Sequence, residues 1–393
     1  MVKILTFTSL FPNAIQQRHG IFVENRLRHL LESGQVESRV VAPVPWFPFR
    51  SPRFGAYSQF ARVERMETRN GLEIVHPRYL VIPRVGMSLT PWMMARAALP
   101  VIKQIIREGY DFDLIDAHYF YPDGVAAAWL AKQLDKPLVI TARGTDLNLI
   151  PQYRLPRRMI QWAAGRASGM ITVCQALKDV LVELGVEAER VTVLRNGVDL
   201  AMFHPAAQRQ ALREKLGLTR ETLLSVGHLV ERKGHDLVIR ALTDLPGMEL
   251  LIAGDGEEEA RLKRLAADIG VAERVRFLGA VSHERLREYY GAVDVLVLAS
   301  SREGWANVLL ESMACGTPVV ATRVWGTPEV VATPDAGVLT ERRDPAAIAE
   351  AVNRLLQAYP DRAAVRRYAE QFSWDATTRG QLALFSRITG VAA

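Results

Sequence analysis

Short apolar runs alternate with helix-patterned stretches from one end of this chain to the other, and that alternation constrains the fold more than any other feature. Strand-like runs fall at residues 3–8, 38–42, 114–117, 138–142, 170–173 and 191–194 in the first half. In the second half they fall at 223–226, 249–253, 275–278, 293–298 and 318–321. Strands separated by helical segments predict α/β architecture, with parallel sheets and crossover helices. At 393 residues the chain is long enough for two such domains, each with its own core. No strand leads into Gly-x-Gly-x-x-Gly, which counts against a dinucleotide-dependent oxidoreductase.

Chemistry is densest between Ser300 and Glu311. Glu303 sits in a loop after an apolar strand, and Glu311 sits on the helix begun by Asn307, Val308, Leu309 and Leu310. Cys315-Gly316-Thr317-Pro318 ends that helix with glycine and then proline. Asn307 and Glu311 are four apart and share a helix face. The amides of Gly304, Trp305 and Ala306 precede the helix, where an anion or sugar hydroxyls can bind. Upstream, Gly227-His228-Leu229-Val230-Glu231-Arg232-Lys233-Gly234 follows a strand with a flexible glycine and a compact basic cluster, a combination suited to a diphosphate.

The Glu303…Glu311 pair and its flanks resemble the E-x7-E signature of retaining glycosyltransferases of family 4. The resemblance implies the GT-B fold, two Rossmann-like domains facing each other across a cleft. It places an N-terminal acceptor-side domain over residues 1–200 and a nucleotide-sugar domain over 201–374, with the final helix, 375–393, returning to the first. Asn196 to Pro205 (NGVDLAMFHP) looks like the crossover, where Asn-Gly signals a turn and His204-Pro205 an extended backbone.

By that resemblance Glu303 faces the donor sugar, Lys233 takes the charge growing on the leaving diphosphate, and Glu311 holds the ribose hydroxyls. His228 stands where the family usually has arginine, with Arg232 able to compensate. Gly254 and Leu278 end strands that line the nucleotide base. In the first domain the resemblance points to the loop after the first strand, which closes over donor phosphates and acceptor, with the Gly20 amide meeting a donor phosphate and His19 on the acceptor side. It also points to His118 at a strand end, touching the donor sugar, and to Arg143, where the common form is histidine. Arg143 suits an anionic sugar or acceptor phosphate in bidentate fashion, and Asp146 either orients it or caps the next helix. Trp325 stands where the family often has glycine, and it would narrow or reshape the donor pocket. No metal or other cofactor is expected. Asp111 and Asp113 read as a helix-to-strand turn rather than a metal pair.

The implied activity is transfer of a sugar from a nucleoside-diphosphate sugar, UDP first and GDP second, to a glycan or lipid-linked acceptor. Two other readings stay open: a nucleotide-sugar epimerase of GT-B fold, and a sugar-binding protein with a degenerate site. The net charge of +6 is uneven, because residues 1–200 hold 25 Lys and Arg against 18 Asp and Glu. Aromatic and basic residues interleave at 45–54 and again at 153–162, which suits an anionic bilayer surface as readily as an ordinary loop. No nucleic-acid motif is present. The N-terminus reads as a strand rather than a signal peptide, and no run of about 18 apolar residues could span a membrane. Cys174 and Cys315 lie in apolar segments and read as buried thiols of a reducing compartment. The expected location is the cytoplasm, with possible attachment to the inner face of the cell membrane.

Overall fold

The computed structural model describes every residue except Pro52, Phe54, residues 82–85 and residues 392–393. Pro52 and Phe54, part of the interleaved stretch at 45–54, therefore lie outside the described residues. The chain divides into two compact units, Met1–Arg195 with Asp375–Ala393, and Asn196–Trp374.

The first unit contains β1 (Val2–Phe7), β2 (Val36–Val41), β3 (Val44–Trp46), β4 (Met66–Arg69), β5 (Leu72–Val75) and β6 (Arg78–Leu80). After them come β7 (Leu114–His118), β8 (Leu138–Ala142), β9 (Gly169–Thr172) and β10 (Val191–Val193). Eight strands form one sheet in the order β10-β9-β8-β7-β1-β2-β5-β4, and β3 pairs with β6 separately. All these pairings are parallel except the β4–β5 hairpin. Every residue of β7, β8 and β9 is buried, as expected of parallel strands covered on both faces.

The second unit contains β11 (Glu221–Val226), β12 (Met248–Ala253), β13 (Val275–Gly279), β14 (Val295–Leu298), β15 (Val319–Thr322) and β16 (Gly337–Thr340). Their order is β13-β12-β11-β14-β15-β16, parallel throughout. Its core joins Leu250, Ile252, Val295 and Val297 of the sheet to Val238, Ile239, Ile348 and Val352 of the helices.

Each expected strand is present, with ends shifted by a residue or two, and β3, β4, β5, β6 and β16 are additional. The β4–β5 hairpin turns on Asn70 and Gly71, at φ 50° and 79°, the paired positive φ that a two-residue hairpin loop requires. The helix Trp374–Thr389 returns the end of the chain to the first unit. There Leu382, Leu384 and Phe385 are buried with Val2, Ile4, Val23 and Leu27. Fully burying each such side chain contributes about 2 kcal/mol. At the division itself, a Cβ on Gly197 would stand 2.5 Å from the Trp374 amide nitrogen, so only glycine fits.

Candidate active site

In an open α/β sheet, ligands bind at the carboxyl ends of strands where the strand order reverses. The second unit reverses between β11 and β14. The loops leaving those two strands carry Lys233 and Glu303, and Lys233 Nζ lies 2.6 Å from Glu303 Oε1. Ser300 Oγ donates to the same oxygen at 2.7 Å. The two charged side chains are 14% and 10% exposed, so water screens their attraction only weakly. The backbone fixes the loops to each other. Ser301 N donates to Arg232 O at 2.8 Å, and the Arg343 guanidinium bridges Ala299 O at 2.8 Å and Glu231 O at 3.2 Å.

Buried His235 braces the first of these loops. Its Nδ1 accepts from Ser225 Oγ at 2.8 Å and its Nε2 donates to His228 O at 3.3 Å. Burial pushes its pKa down to about 4, so the ring is neutral and this tautomer is set by its partners. The basic cluster expected here is not a single one. His228 is a mostly exposed side chain 3.5 Å from Asp255, and of Arg232 the carbonyl does the holding. Gly254, at the end of β12, has φ 148°, and a Cβ there would stand 1.9 Å from Gly227 O. Its amide is already given to Gly279 O at 2.8 Å, and Leu278 is half-buried in the neighbouring strand.

Glu311 lies on the helix Asn307–Ala314, where Tyr290 OH donates to its Oε2 at 2.9 Å. Burial raises the pKa of this carboxyl and of the Tyr290 phenol. Asn307 Oδ1 accepts from Asn196 Nδ2 at 3.3 Å. The Trp305 ring is buried with its centroid 6.0 Å from that of Phe372, so Trp305, like Gly304 and Ala306, has its backbone rather than its side chain for a ligand. Trp325 follows β15, the neighbour of β14, and has φ 48°. A glycine would adopt that backbone freely, whereas a tryptophan there costs about 1–3 kcal/mol.

The first unit reverses between β1 and β7. Here Asp123, fully buried, accepts from the Ser9 amide and, at 3.1 Å, from its hydroxyl. Burial pushes the Asp123 carboxyl up to about 7. His19 is exposed and donates to Ser9 O at 3.1 Å. Gly20 opens the helix Ile21–Glu32 at φ 71°, and a Cβ there would stand 2.2 Å from the Leu10 carbonyl.

Beside this loop, His118 ends β7 with both ring nitrogens engaged. Nδ1 accepts from Arg143 Nη2 at 2.7 Å, and Nε2 lies 3.3 Å from Asp116 Oδ2. Gln381 Nε2 donates to the same Asp116 oxygen at 3.0 Å, and Arg26 Nε donates to Gln381 Oε1 at 2.9 Å. Burial holds His118 down to about 4 against the opposing pull of Asp116. Arg143 is 8% exposed, with its guanidinium 5.6 Å over the Phe22 ring.

Asp146 anchors the backbone beside Arg143, and its charge also acts on the Arg143 guanidinium. Its carboxylate takes the backbone amides of Phe120, Arg143 and Gly144, at 2.7–3.2 Å. That grip holds Tyr119 at φ 81° immediately after His118. Asp113 accepts from Lys3 N and Asp111 from Lys136, both at 2.7 Å. Tyr290, Ser225, Arg26 and Gln381 carry no local signal in the sequence. Ser300 alone had a local signal, three residues before Glu303.

Two family descriptions match this chain. "Glycosyltransferase Family 4" covers residues 19–202, and "Glycosyl transferases group 1" covers residues 208–372. The D-inositol 3-phosphate glycosyltransferase of Acidothermus cellulolyticus is 40% identical over 312 residues, 72% of this chain and 68% of that protein. The chain belongs to glycosyltransferase family 4. A putative teichuronic acid biosynthesis glycosyltransferase of Bacillus subtilis, TuaC, is 29% identical over 90% of this chain and 89% of its own length.

Among solved structures, sucrose-phosphate synthase from Thermosynechococcus elongatus superposes with a TM-score of 0.79 at 21% identity, covering 99% of this chain and all of that one. Anabaena HepE in complex with UDP-glucose gives 0.73 at 21% identity, with full coverage of both chains. The fold of this family 4 glycosyltransferase is therefore GT-B, with two Rossmann-like units. Among the described residues no helix is long and apolar enough to cross a membrane.

Proposed function

We propose that this glycosyltransferase moves a sugar, with retention of anomeric configuration and without a metal, from a nucleoside-diphosphate sugar to a glycan or lipid-linked acceptor. UDP is the first choice of nucleotide and GDP the second. The Lys233–Glu303 pair at the β11/β14 reversal carries this reading. An ammonium has three donors, and Glu303 uses one, which leaves two for diphosphate oxygens. The leaving diphosphate gains negative charge as the glycosidic bond breaks, so the cation stabilises the transition state more than the ground state. Glu303 then recognises a sugar hydroxyl and supports the positive charge at the anomeric carbon. Glu311, with one oxygen held by Tyr290, offers the other to the ribose.

Acceptor oxygen bonds to the anomeric carbon on the face the diphosphate leaves, and the acceptor proton passes to the departing phosphate oxygen. Glu311 is committed to ribose, so a paired-carboxylate, double-displacement route is disfavoured. On the acceptor side, Arg26 and Arg143 are buried with Asp116, and the positive charge of Arg26 adds to burial in lowering the Arg143 pKa. Asp116 and Asp146 oppose that repulsion, and the acceptor we favour is an acidic or phosphorylated one that meets the Arg143 guanidinium. HepE is known with UDP-glucose, and the Acidothermus relative is named for inositol 3-phosphate; both fit this reading. With a lipid-linked acceptor goes peripheral contact with an anionic membrane.

The test is thermal unfolding with UDP, GDP, ADP and their sugars, with and without EDTA. A shift with one nucleoside diphosphate, unchanged by EDTA and weakened in Glu311→Ala, is expected. No shift with any of them would sink the donor assignment. A covalent sugar adduct on Glu303, seen by mass spectrometry, would overturn the same-face route.

A further inference from the structure

Three long stretches of the first unit carry no carboxylate. Between Glu37 and Glu64, between Glu73 and Glu108, and between Asp146 and Asp179 stand 14 Arg and Lys and not one Asp or Glu. The fold brings these stretches together. β3, from the first, pairs with β6, from the second, with Trp46 opposite Leu80. The Phe47 and Tyr57 rings lie 5.5 Å apart beside that pair. The helix Thr90–Arg107 packs on β6, and the helix Arg154–Ala164, from the third stretch, packs on the turn Gly86–Ser88.

Exposed apolar side chains gather in the same place. Of 14 large hydrophobic residues exposed among the described ones, nine lie in these three stretches. Trp46, Leu80, Leu89, Trp92, Tyr153 and Leu155 are each 45–49% exposed. Cations accompany them. The Arg96 guanidinium lies 5.6 Å over the Trp92 ring, and Arg154, Arg157 and Arg158 are exposed on a helix whose Pro156, Ile160 and Ala163 are buried. A surface built only for water mixes both signs of charge and keeps aromatic rings inside.

We propose that the surface formed by these three carboxylate-free stretches of the first unit docks on an anionic lipid bilayer. Its exposed rings and leucines enter the headgroup boundary, and its arginines lie at the level of the lipid phosphates. The inference deepens the membrane contact put forward above and rests on that reading for its purpose, while its evidence is the surface alone. Charge complementarity selects the partner, because a zwitterionic surface offers these arginines no net attraction. The apolar side chains distinguish docking from a diffuse ionic atmosphere, since only insertion removes them from water.

The experiment is co-sedimentation of the full chain with phosphatidylcholine vesicles, with and without phosphatidylglycerol, at low and high salt. Binding to the anionic vesicles alone, weakened by salt, is expected. Trp46→Ser/Trp92→Ser/Leu155→Ser should lower the partition coefficient about tenfold or more. Arg157→Gln/Arg158→Gln should lower it severalfold and blunt the salt dependence. These arginines are exposed, so that variant tests the idea even if the first folds poorly. Absence of sedimentation at low salt would overturn the proposal, as would binding unchanged in both variants. A dimer in light scattering that the apolar variant converts to monomer would also overturn it and assign the face to a second copy. Nucleotide-induced thermal shifts run alongside keep the readings separate. Vesicle binding without a shift defeats the donor assignment and leaves the surface standing, and a shift without vesicle binding does the reverse.

Discussion

The reversal points of the two sheets treat charge in opposite ways. In the second unit a lysine and a glutamate meet at 2.6 Å with a fraction of each side chain still exposed, and one serine completes the pair. Little desolvation is left uncompensated, and most donors of the ammonium remain available. In the first unit Arg26, Asp116, His118, Arg143 and Gln381 are nearly sealed from water and engage one another. There the charges were taken out of water at a cost that only the complete network offsets. The comparison teaches that the second unit leaves hydrogen-bonding capacity open at its reversal point, while the first spends most of its own on mutual contacts. Substitutions should therefore strike function in one and folding in the other.

Asp116→Ala would test the first half of that contrast most severely. It leaves buried Arg26 and Arg143 with less counter-charge and should cost about 3–5 kcal/mol of stability in urea unfolding. A cost near zero would break the comparison. Lys233→Ala should lower turnover about 10²-fold or more while the protein remains folded by circular dichroism. Equal loss of turnover and of folding would place the two sites in one class.

The buried histidines sharpen the contrast through pH. The pKa values of His118 and His235 are about 4 in the fold and about 6.5 in an unfolded chain, so in that window the unfolded state binds the extra protons. Stability contributed by their neutral forms is complete above about pH 6.5 and is lost as pH falls toward 4. Asp123, raised to about 7, works with the opposite sign: it favours the fold below its unfolded value and loses that contribution as pH rises through 7. His235→Asn should remove one proton from the linkage, flattening the stability slope by about 1.4 kcal/mol per pH unit between 6.5 and 4. An unchanged slope would mean that His235 charges in the fold. Tyr290→Phe carries the smallest effect, about 1 kcal/mol in nucleotide affinity, read by calorimetric titration. No change would separate Glu311 from its phenol.

Much of this arrangement was legible in the sequence because it is locally written. The strand-loop-helix positions of Glu303 and Glu311 follow from apolar runs and a glycine-proline stop. Parallel sheets follow from alternation. What escaped depends on distant chain meeting distant chain. Gln381 reaches Asp116 across 265 residues, and Tyr290 reaches Glu311 across a helix turn and a strand. Arg143 looked like an open anion receptor by residue type, yet packing around the ends of β7 and β8 buries it. The β4–β5 hairpin escaped for a different reason. Its strands, METR and LEIV, lack a continuous apolar run, and the Asn70-Gly71 dipeptide was the only marker.

The position of Gln381, Leu382, Leu384 and Phe385 bears on how the chain is born. In chain order the second unit, continuous from Asn196 to Trp374, is synthesised in full before the last helix of the first. Until Phe385 has emerged, the cluster of Val2, Ile4, Val23 and Leu27 lacks the apolar side chains of the last helix. Completion of the first unit thereby falls to the end of synthesis, against the usual order of N-terminal domain first. A stop codon before the last helix would strand the second unit beside an unfinished neighbour, the kind of nascent chain that chaperones and proteases compete for.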